Sequence, residues 1–328
     1  MGPSWLFVGP QLLAGIGQVV KQYSALVPGA EHCELGQRPK KARYDRGFAF
    51  VLPIKNQLDL FDQYKAFCSD WIRMTVCETE PVNDCYGLLE RYPEVHVPSE
   101  FSRQILEKQF PKIKWSLLRH WSEPKVPWMP LNSSPYVFYT IGNMLDPRKN
   151  IKKLIEAYLR CEFRDAAHLV LKATCTVPVE WRVPGVTIIN GLLSDEDLEK
   201  VHAAGHCYVN CSHSEGVGMG AVEAALRSKP VIITDYGGLK EYVKTPWVVP
   251  CTVGPIGFDD FLFKKEHNWG HPDQKELEKC LQDCFDKKVQ TWDHSHTREL
   301  MDQVKHWPCW RQCNSSEPQC RGEHGSQP

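Results

Sequence analysis

The residues whose types and spacing could do chemistry are concentrated between Tyr208 and Val243, in YVNCSHSEGVGMGAVEAALRSKPVIITDYGGLKEYV. Glu215 and Glu223 flank a glycine turn, Gly216-Val217-Gly218, with Met219 and Gly220 opening the run that follows. A short apolar strand (Tyr208, Val209) precedes the turn. A helix-compatible run from Met219 to Arg227 and a buried strand from Val231 to Thr234 come after it. Strand, glycine corner, helix and strand make a βαβ unit. Glycine at that corner lets backbone approach a ligand, and the helix N-terminus offers free N–H groups and positive dipole to an anion. A bare anion site would not want two carboxylates beside it, but a carboxylate accepts hydrogen bonds from a vicinal diol. The segment therefore describes a pocket for a ligand with both phosphate and sugar hydroxyls. The plainer alternative is an ordinary strand–helix–strand with surface glutamates.

Glu-x7-Glu opening in Glu-Gly-x-Gly, followed by Pro230-Val231-Ile232 and Gly237-Gly238, resembles the retaining glycosyltransferases of the GT-B fold, family 4-like (group 1). A second resemblance follows the predicted strand Tyr136 to Ile141, in Gly142-Asn143-Met144-Leu145-Asp146-Pro147-Arg148-Lys149-Asn150. The family has Gly-Arg-x5-Lys-Gly there, and its arginine and lysine clamp the donor diphosphate. Lys149 falls on that lysine, whereas Asn143 replaces the arginine, and Arg148 is close enough to compensate although its spacing differs. Lys152 and Lys153 read as a solvated helix face. Gly15 and Gly17 resemble the family's Gly-Gly-x-Gly loop beside the diphosphate and acceptor. They also fit a degenerate dinucleotide fingerprint, against which Val20 stands at the third glycine.

The resemblance implies a role for each residue. Glu215 holds hydroxyls of the transferred sugar and, with Lys149, carries the chemistry. Backbone N–H groups from Gly216 through Val217, Gly218 and Met219 to Gly220 contact sugar and distal phosphate, and Glu223 contacts the nucleotide ribose. The two glutamates could also be read as a glycosidase acid and nucleophile, but an anion-binding helix start is not needed for that. No secure counterpart of the family's first-domain histidine is found. His96 lies in a strand with a structural reading, while Glu78 and Thr79, ending a strand after Val76, are placed to face a cleft. The implied fold is α/β, GT-B, with two Rossmann-like doubly wound domains facing across a cleft. The implied activity moves a sugar from a nucleotide-diphosphate sugar to an acceptor hydroxyl with retention, without metal or other cofactor. Two alternatives stay open: an inactive nucleotide-sugar-binding protein on the same fold, or another GT-B enzyme such as a sugar-nucleotide epimerase or phosphorylase.

At 328 residues the chain is long enough for two α/β domains with real cores. It is 42% hydrophobic and 24% charged, ordinary for a globular protein, and with a net charge of −1 nothing suggests a nucleic-acid surface. No apolar run reaches the roughly 18–20 residues that span a bilayer, so only peripheral membrane contact is open. The start has neither a signal peptide's basic region and apolar core nor the serine spacing of a myristoylation site. A cytoplasmic protein is expected, its acceptor (glycan, protein or lipid-linked) not legible. The 14 cysteines then act mostly as small hydrophobes. Cys309, Cys313, Cys320 and His324 supply zinc-type ligands in number but match no zinc module, and a disordered tail is the simpler reading. Asp195-Glu196-Asp197 imitates a metal-binding Asp-x-Asp, but as a helix start it puts acid where the dipole wants it.

These motifs need two sets of elements to hold them. The first runs from a strand at Leu6 to Val8, through a glycine-bearing loop to Gly17 and a helix from Gln18 to Leu26. Strands at Ile72 to Val76 and Val95 to Pro98 follow, with Ser99 capping a helix from Glu100 to Phe110. Prolines 124, 127, 130 and 135 mark a linker. The second set has strands at Tyr136 to Ile141, Leu169 to Leu171, Val186 to Ile189 and Trp247 to Pro250. Its helices are expected over Ile151 to Leu159, from Ser194, and over Gln274 to Asp286. Trp269 to Asp273 reads as a loop. The expected division is 1–125 for an acceptor-side domain, 126–290 for a donor-binding domain, and 291–328 for a returning helix (Arg298 to Trp307) with a flexible tail.

Overall fold

The computed structural model describes residues 3–10, 15–124, 135–163, 165–260 and 262–307. Leu13, Ala14, most of the proline-rich segment and the Cys309–His324 stretch lie outside them.

The first sheet is built from β1 (Trp5–Gly9), β2 (Glu31–Glu34), β3 (Arg46–Phe50), β4 (Asp70–Met74), β5 (Glu94–Val97) and β6 (Lys114–Leu117). Its order is β2-β1-β3-β4-β5-β6 and every pairing is parallel. Helices α1 (Gly15–Ala25), α2 (Lys55–Asp62) and α3 (Glu100–Gln109) accompany it. The second half contains β7 (Tyr136–Gly142), α4 (Ile151–Arg160), β8 (Ala167–Ala173), β9 (Val186–Ile189), α5 (Asp195–Ala204) and β10 (Cys207–Asn210). These are followed by α6 (Met219–Leu226), β11 (Val231–Thr234), α7 (Leu239–Tyr242) and β12 (Val248–Val249). Its parallel sheet runs β12-β11-β10-β7-β8-β9. The order reverses between β1 and β3 in one sheet and between β7 and β10 in the other. Such switch points open a crevice at the strand C-termini.

Parallel strands covered on both faces read as continuous apolar runs rather than alternating ones. Accordingly β1, β10 and β11 are buried at every position. Ser99 caps α3 by accepting from the Ser102 N–H at 3.2 Å, Ser194 caps α5 through Asp197, and Asp273 caps α8 (Gln274–Asp286) through Glu276. Three expectations need correction. Gly15 and Gly17 are not in a loop: they are the first turn of α1, which starts three residues before Gln18. Trp269 to Asp273 is not a loop either, because β14 (Asn268–Pro272) pairs antiparallel with β13 (Cys251–Pro255). The last helix, α9, spans Ser295–Lys305 and ends short of Trp307.

The two sheets share one apolar cluster, in which Phe7, Tyr23, Phe48 and Met74 are continuous with Tyr139, Tyr208, Val222 and Met301. Polar contacts fix the join. The Glu241 carboxylate on α7 reaches the start of α3, accepting from the Glu100 and Phe101 N–H groups at 2.9 and 2.8 Å, and also pairs with Arg119. The buried Tyr242 hydroxyl accepts from the His120 N–H at 2.8 Å and donates to the Pro98 carbonyl at 2.5 Å. Helix α9 packs on α6 and α7, and beyond its end the Trp307 ring meets His96 of β5 edge-on at 6.0 Å.

Glu241 thus satisfies two N-terminal N–H groups of a helix on the opposite sheet, and hydrogen bonds to a charged acceptor contribute about 1.5–3 kcal/mol. Glu241→Ala is expected to lower stability to chemical denaturant by about 2 kcal/mol. An unchanged denaturation midpoint removes Glu241 from this role.

Candidate functional site

Between the C-terminal ends of the two sheets lies a cavity of about 870 Å³. From the first half it is lined by α1, by Glu78 beyond β4 and by the segment after β6. From the second half come the β7–α4 loop, the β10–α6 loop and one face of α6. Gly15, Asn143, Arg148, Lys149, Glu215, Gly216, Val217, Gly218, Met219, Gly220 and Glu223 all line it. Gly17 does not; it is buried within α1.

Two loops are stitched together to build the site. After β7, the Asp146 carboxylate accepts from the Arg148 N–H at 2.9 Å and starts a short turn, Pro147–Lys149. Asn150 then takes a left-handed conformation before α4. The His213 N–H donates to the Arg148 carbonyl at 2.8 Å, and the Asn150 side-chain amide donates to the Cys211 carbonyl at 3.2 Å. Lys149 is thereby carried against the β10–α6 loop. In that loop Gly216 lies directly on Val76 of the first half, where a Cβ would come within 2.0 Å of a methyl group. Gly218 has φ +76° at the start of α6, a conformation only glycine adopts without strain. Both glycines are thus needed for backbone geometry. The N-terminus of α6 opens on the cavity, with Val217 and Met219 half-buried beside it.

The Glu215 carboxylate is buried at 5% exposure and heavily partnered. One oxygen meets Lys149 Nζ at 2.5 Å, the Ser212 hydroxyl at 2.7 Å and the Asn210 amide at 3.4 Å. The other accepts from Arg148 Nη1 at 3.0 Å. Burial pushes its pKa up, but Lys149 and Arg148 outweigh burial and hold it at about 2. Arg148 also donates to the Ser214 carbonyl at 2.9 Å, pairs with Asp146 at 3.2 Å, and reaches across the cleft to Glu78 at 3.0 Å. Burial would weaken its charge, yet Glu78, Glu215 and Asp146 more than restore it. The Asn143 side-chain oxygen accepts from the Leu145 N–H at 3.0 Å and holds the turn.

Glu223 occupies the second turn of α6 in different company. Gln22 of α1 donates to it at 3.4 Å, and His202 Nε2 stands 3.7 Å away. The Tyr139 hydroxyl and His202 Nδ1 are 3.0 Å apart, which orients the ring. Burial raises the Glu223 pKa, but His202 and Arg227 bring it below the usual value. His120, in the segment after β6, lines the cavity with its Nε2 buried and unpartnered. Burial lowers its pKa to about 4. Sequence reasoning missed His120 and Gln22, since neither sits in a motif. His96 stays outside the lining. Lys153, read as solvated, donates to the Pro272 carbonyl at 2.6 Å and ties α4 to β14. Among the described residues, no group of three or more His, Cys, Asp or Glu is arranged to hold a metal ion, and no helix is long and apolar enough to cross a membrane.

Residues 135–254 match the family model described as "Glycosyl transferases group 1". No curated protein matches. Among solved structures, the chain is similar to HepE from Anabaena in complex with UDP and glucose, at TM-score 0.61 and 12% identity. That likeness covers 92% of this chain and 95% of HepE. It is similar to sucrose-phosphate synthase from Thermosynechococcus elongatus at TM-score 0.61 and 14% identity, covering 94% and 96%. TarM, known from S. aureus, aligns at TM-score 0.54 and 14% identity over 79% of this chain, which spans only about half of TarM (51%). The fold is GT-B. In this fold the cavity is the cleft between two Rossmann-like domains, and the family match contains Lys149, Arg148 and both glutamates.

Because Glu215 is held below the ordinary carboxylate range, its ion pairs add stability that is complete above about pH 4.5. That stability is lost as pH falls toward about 2. Glu215→Gln should therefore be less stable than the parent protein at neutral pH, with the gap narrowing as acid protonates the parent. Urea midpoints across pH measure this, and a gap that widens in acid contradicts the assignment.

Proposed function

We propose that this protein is a retaining glycosyltransferase that moves a sugar from a nucleotide-diphosphate sugar to an acceptor hydroxyl. The observation that carries the reading is one constellation in one cleft. Two cations and a buried carboxylate meet at the N-terminus of α6, and a second carboxylate follows on the same helix, all within the residues that match the group 1 model. The likeness to HepE, whose structures hold UDP with glucose and UDP-glucose, supports a nucleotide sugar as the donor class.

In this reading Lys149, Arg148 and the α6 N-terminus take the diphosphate, where fixed positive charge and dipole oppose the charge that develops on the leaving group. Glu215 accepts hydrogen bonds from hydroxyls of the transferred sugar, and Glu223 from the ribose diol. The bond from the anomeric carbon to the phosphate oxygen breaks while the acceptor oxygen bonds to that carbon on the same face. The acceptor's proton passes to the departing phosphate oxygen, giving a nucleoside diphosphate and the glycoside. No protein nucleophile and no metal are needed for this balance. The free thiols among the described residues, such as Cys85, Cys175 and Cys251, fit work in a reducing compartment such as the cytoplasm. A second reading, a nucleotide-sugar-binding protein without turnover, draws on Asn143, which holds a turn where the family has an arginine.

Measuring calorimetric affinity for nucleoside diphosphates alongside transfer from a panel of nucleotide sugars separates these readings. Lys149→Ala should slow transfer by about 10²–10³, the usual loss for one preorganised charge-stabilising donor. Glu223→Ala should weaken binding of the bare nucleotide by about 1.5–3 kcal/mol, while Glu215→Gln should depress turnover more than nucleotide affinity. Binding without transfer to any acceptor favours the second reading, and the reverse pattern in the two glutamate variants means the donor lies the other way round. Transfer should also survive EDTA. Its loss on chelation, with recovery on adding Mg²⁺ or Mn²⁺, rules out the metal-free mechanism.

A further inference from the structure

Arg148 is committed on several sides. Its Nε pairs with Glu78 at 3.0 Å, Nη1 donates to Glu215 and to the Ser214 carbonyl, and Nη2 pairs with Asp146. Three carboxylates (Glu78, Asp146, Glu215) thus share two cations (Arg148, Lys149). A diphosphate brought against Lys149 and Arg148 adds at least two more negative charges in a partly dehydrated cleft, where like charges raise one another's proton affinity. One carboxylate has to yield. Asp146 is fixed by its bond to the Arg148 N–H on the same turn, and Glu215 keeps Lys149, Ser212 and Asn210. Glu78 has no such reserve: among the described residues its carboxylate has Arg148 as its one polar partner, and it belongs to the opposite domain.

We propose that Glu78 competes with the donor diphosphate for Arg148, so that nucleotide-sugar binding displaces Glu78 from its ion pair and takes up a proton at its carboxyl group. The proposal rests on the donor-site reading above. The groups facing Glu78 support it. Arg148, Lys149, Asp146 and Glu215 face it from across the cleft, and Cys77 and Tyr86 lie on its own side. Burial raises its proton affinity, Glu215 and Asp146 add to that, and the two cations oppose it. A diphosphate that engages the cations weakens the opposition and adds charge of the raising sign. Both changes favour the neutral carboxyl. A protonated Glu78 leaves no extra negative charge beside the departing diphosphate, so the residue acts through Arg148 as a positioning residue.

Linkage fixes the sign of the test. If the complex binds more protons than the separate partners, affinity falls as pH rises, by up to about tenfold per pH unit for a full proton. The probes are UDP-glucose, GDP-mannose and ADP-glucose, whose doubly esterified diphosphates have no proton to exchange near neutral pH. Titration calorimetry at one pH, in buffers of different ionisation enthalpy, should show net proton uptake with whichever probe binds. Affinity should fall from about pH 5 to about 8. Glu78→Gln should abolish the uptake and flatten the pH profile, with affinity at the alkaline end equal to or tighter than the parent's. Glu78→Asp, which keeps the carboxylate, should restore the uptake. Binding without uptake, or uptake that persists in Glu78→Gln through His120 or His202, overturns this proposal and leaves the donor-site reading standing. If none of the probes binds, the donor-site reading falls and this proposal falls with it.

Discussion

A carboxylate with 5% of its surface exposed dictates much of what surrounds it. Taking Glu215 out of water costs several kcal/mol unless charge and hydrogen bonds replace its hydration. The replacements come from two loops: Ser212 and Asn210 on its own side, Arg148 and Lys149 from the turn after β7. The loops must therefore be held in register. The backbone bond from His213 to Arg148 and the Asn150 amide on the Cys211 carbonyl do this. The switch point between β7 and β10 is what makes it possible, since it sets the ends of those two strands side by side.

The same carboxylate ties the halves of the molecule together. Its partner Arg148 reaches Glu78 beyond β4, and Gly216, the next residue in the chain, rests on Val76 two residues before Glu78. Here apolar contact and ion pairing act over the same few ångströms. Away from the cleft the join is more conventional, with Glu241 at the start of α3 and Tyr242 in a fully buried bond to Pro98. The Glu241 and Tyr242 side chains lie outside the cavity lining, although Pro98 and His120, which Tyr242 bonds, belong to it.

The β10–α6–β11 unit was legible from the sequence because each level of signal agreed: continuous apolar strands, a glycine corner and a compact helix. The caps at Ser99, Ser194 and Asp273 were legible because a polar residue immediately precedes each helix. What escaped had mixed signals or depended on distant packing. In β3, Arg46 and Gly47 break the apolar run, and its place beside β1 comes from pairing rather than propensity. In β14, Pro272 and Gly270 read as loop, yet the hairpin with β13 is held by His213 stacked on Trp269 at 4.5 Å. Arg148 looked misplaced by spacing along the chain. A long guanidinium is placed by its reach, and the turn started by Asp146 swings it onto Glu215. His120 carried no local mark, because its position in the cleft depends on where the chain goes after β6.

The two glutamates also differ in what neutralises them, and this bears on what each can hold. Glu215 sits among full cations, so a ligand there has to engage or displace fixed charge. Glu223 accepts from the neutral Gln22 amide and has His202, whose pKa burial lowers, 3.7 Å away. The cationic Arg227 lowers the Glu223 pKa from the backbone side of the helix without pairing with its carboxylate. Neutral donors yield to ligand hydroxyls without leaving a charge stranded, which suits a diol. A cationic surround suits a phosphate or a group that becomes charged as a bond breaks. Each glutamate also has a first-domain group nearby: Gln22 bonds Glu223 directly, and Glu78 reaches Glu215 through Arg148. A ligand that satisfies both carboxylates therefore replaces contacts that span the cleft, and its binding is coupled to how closely the two domains meet.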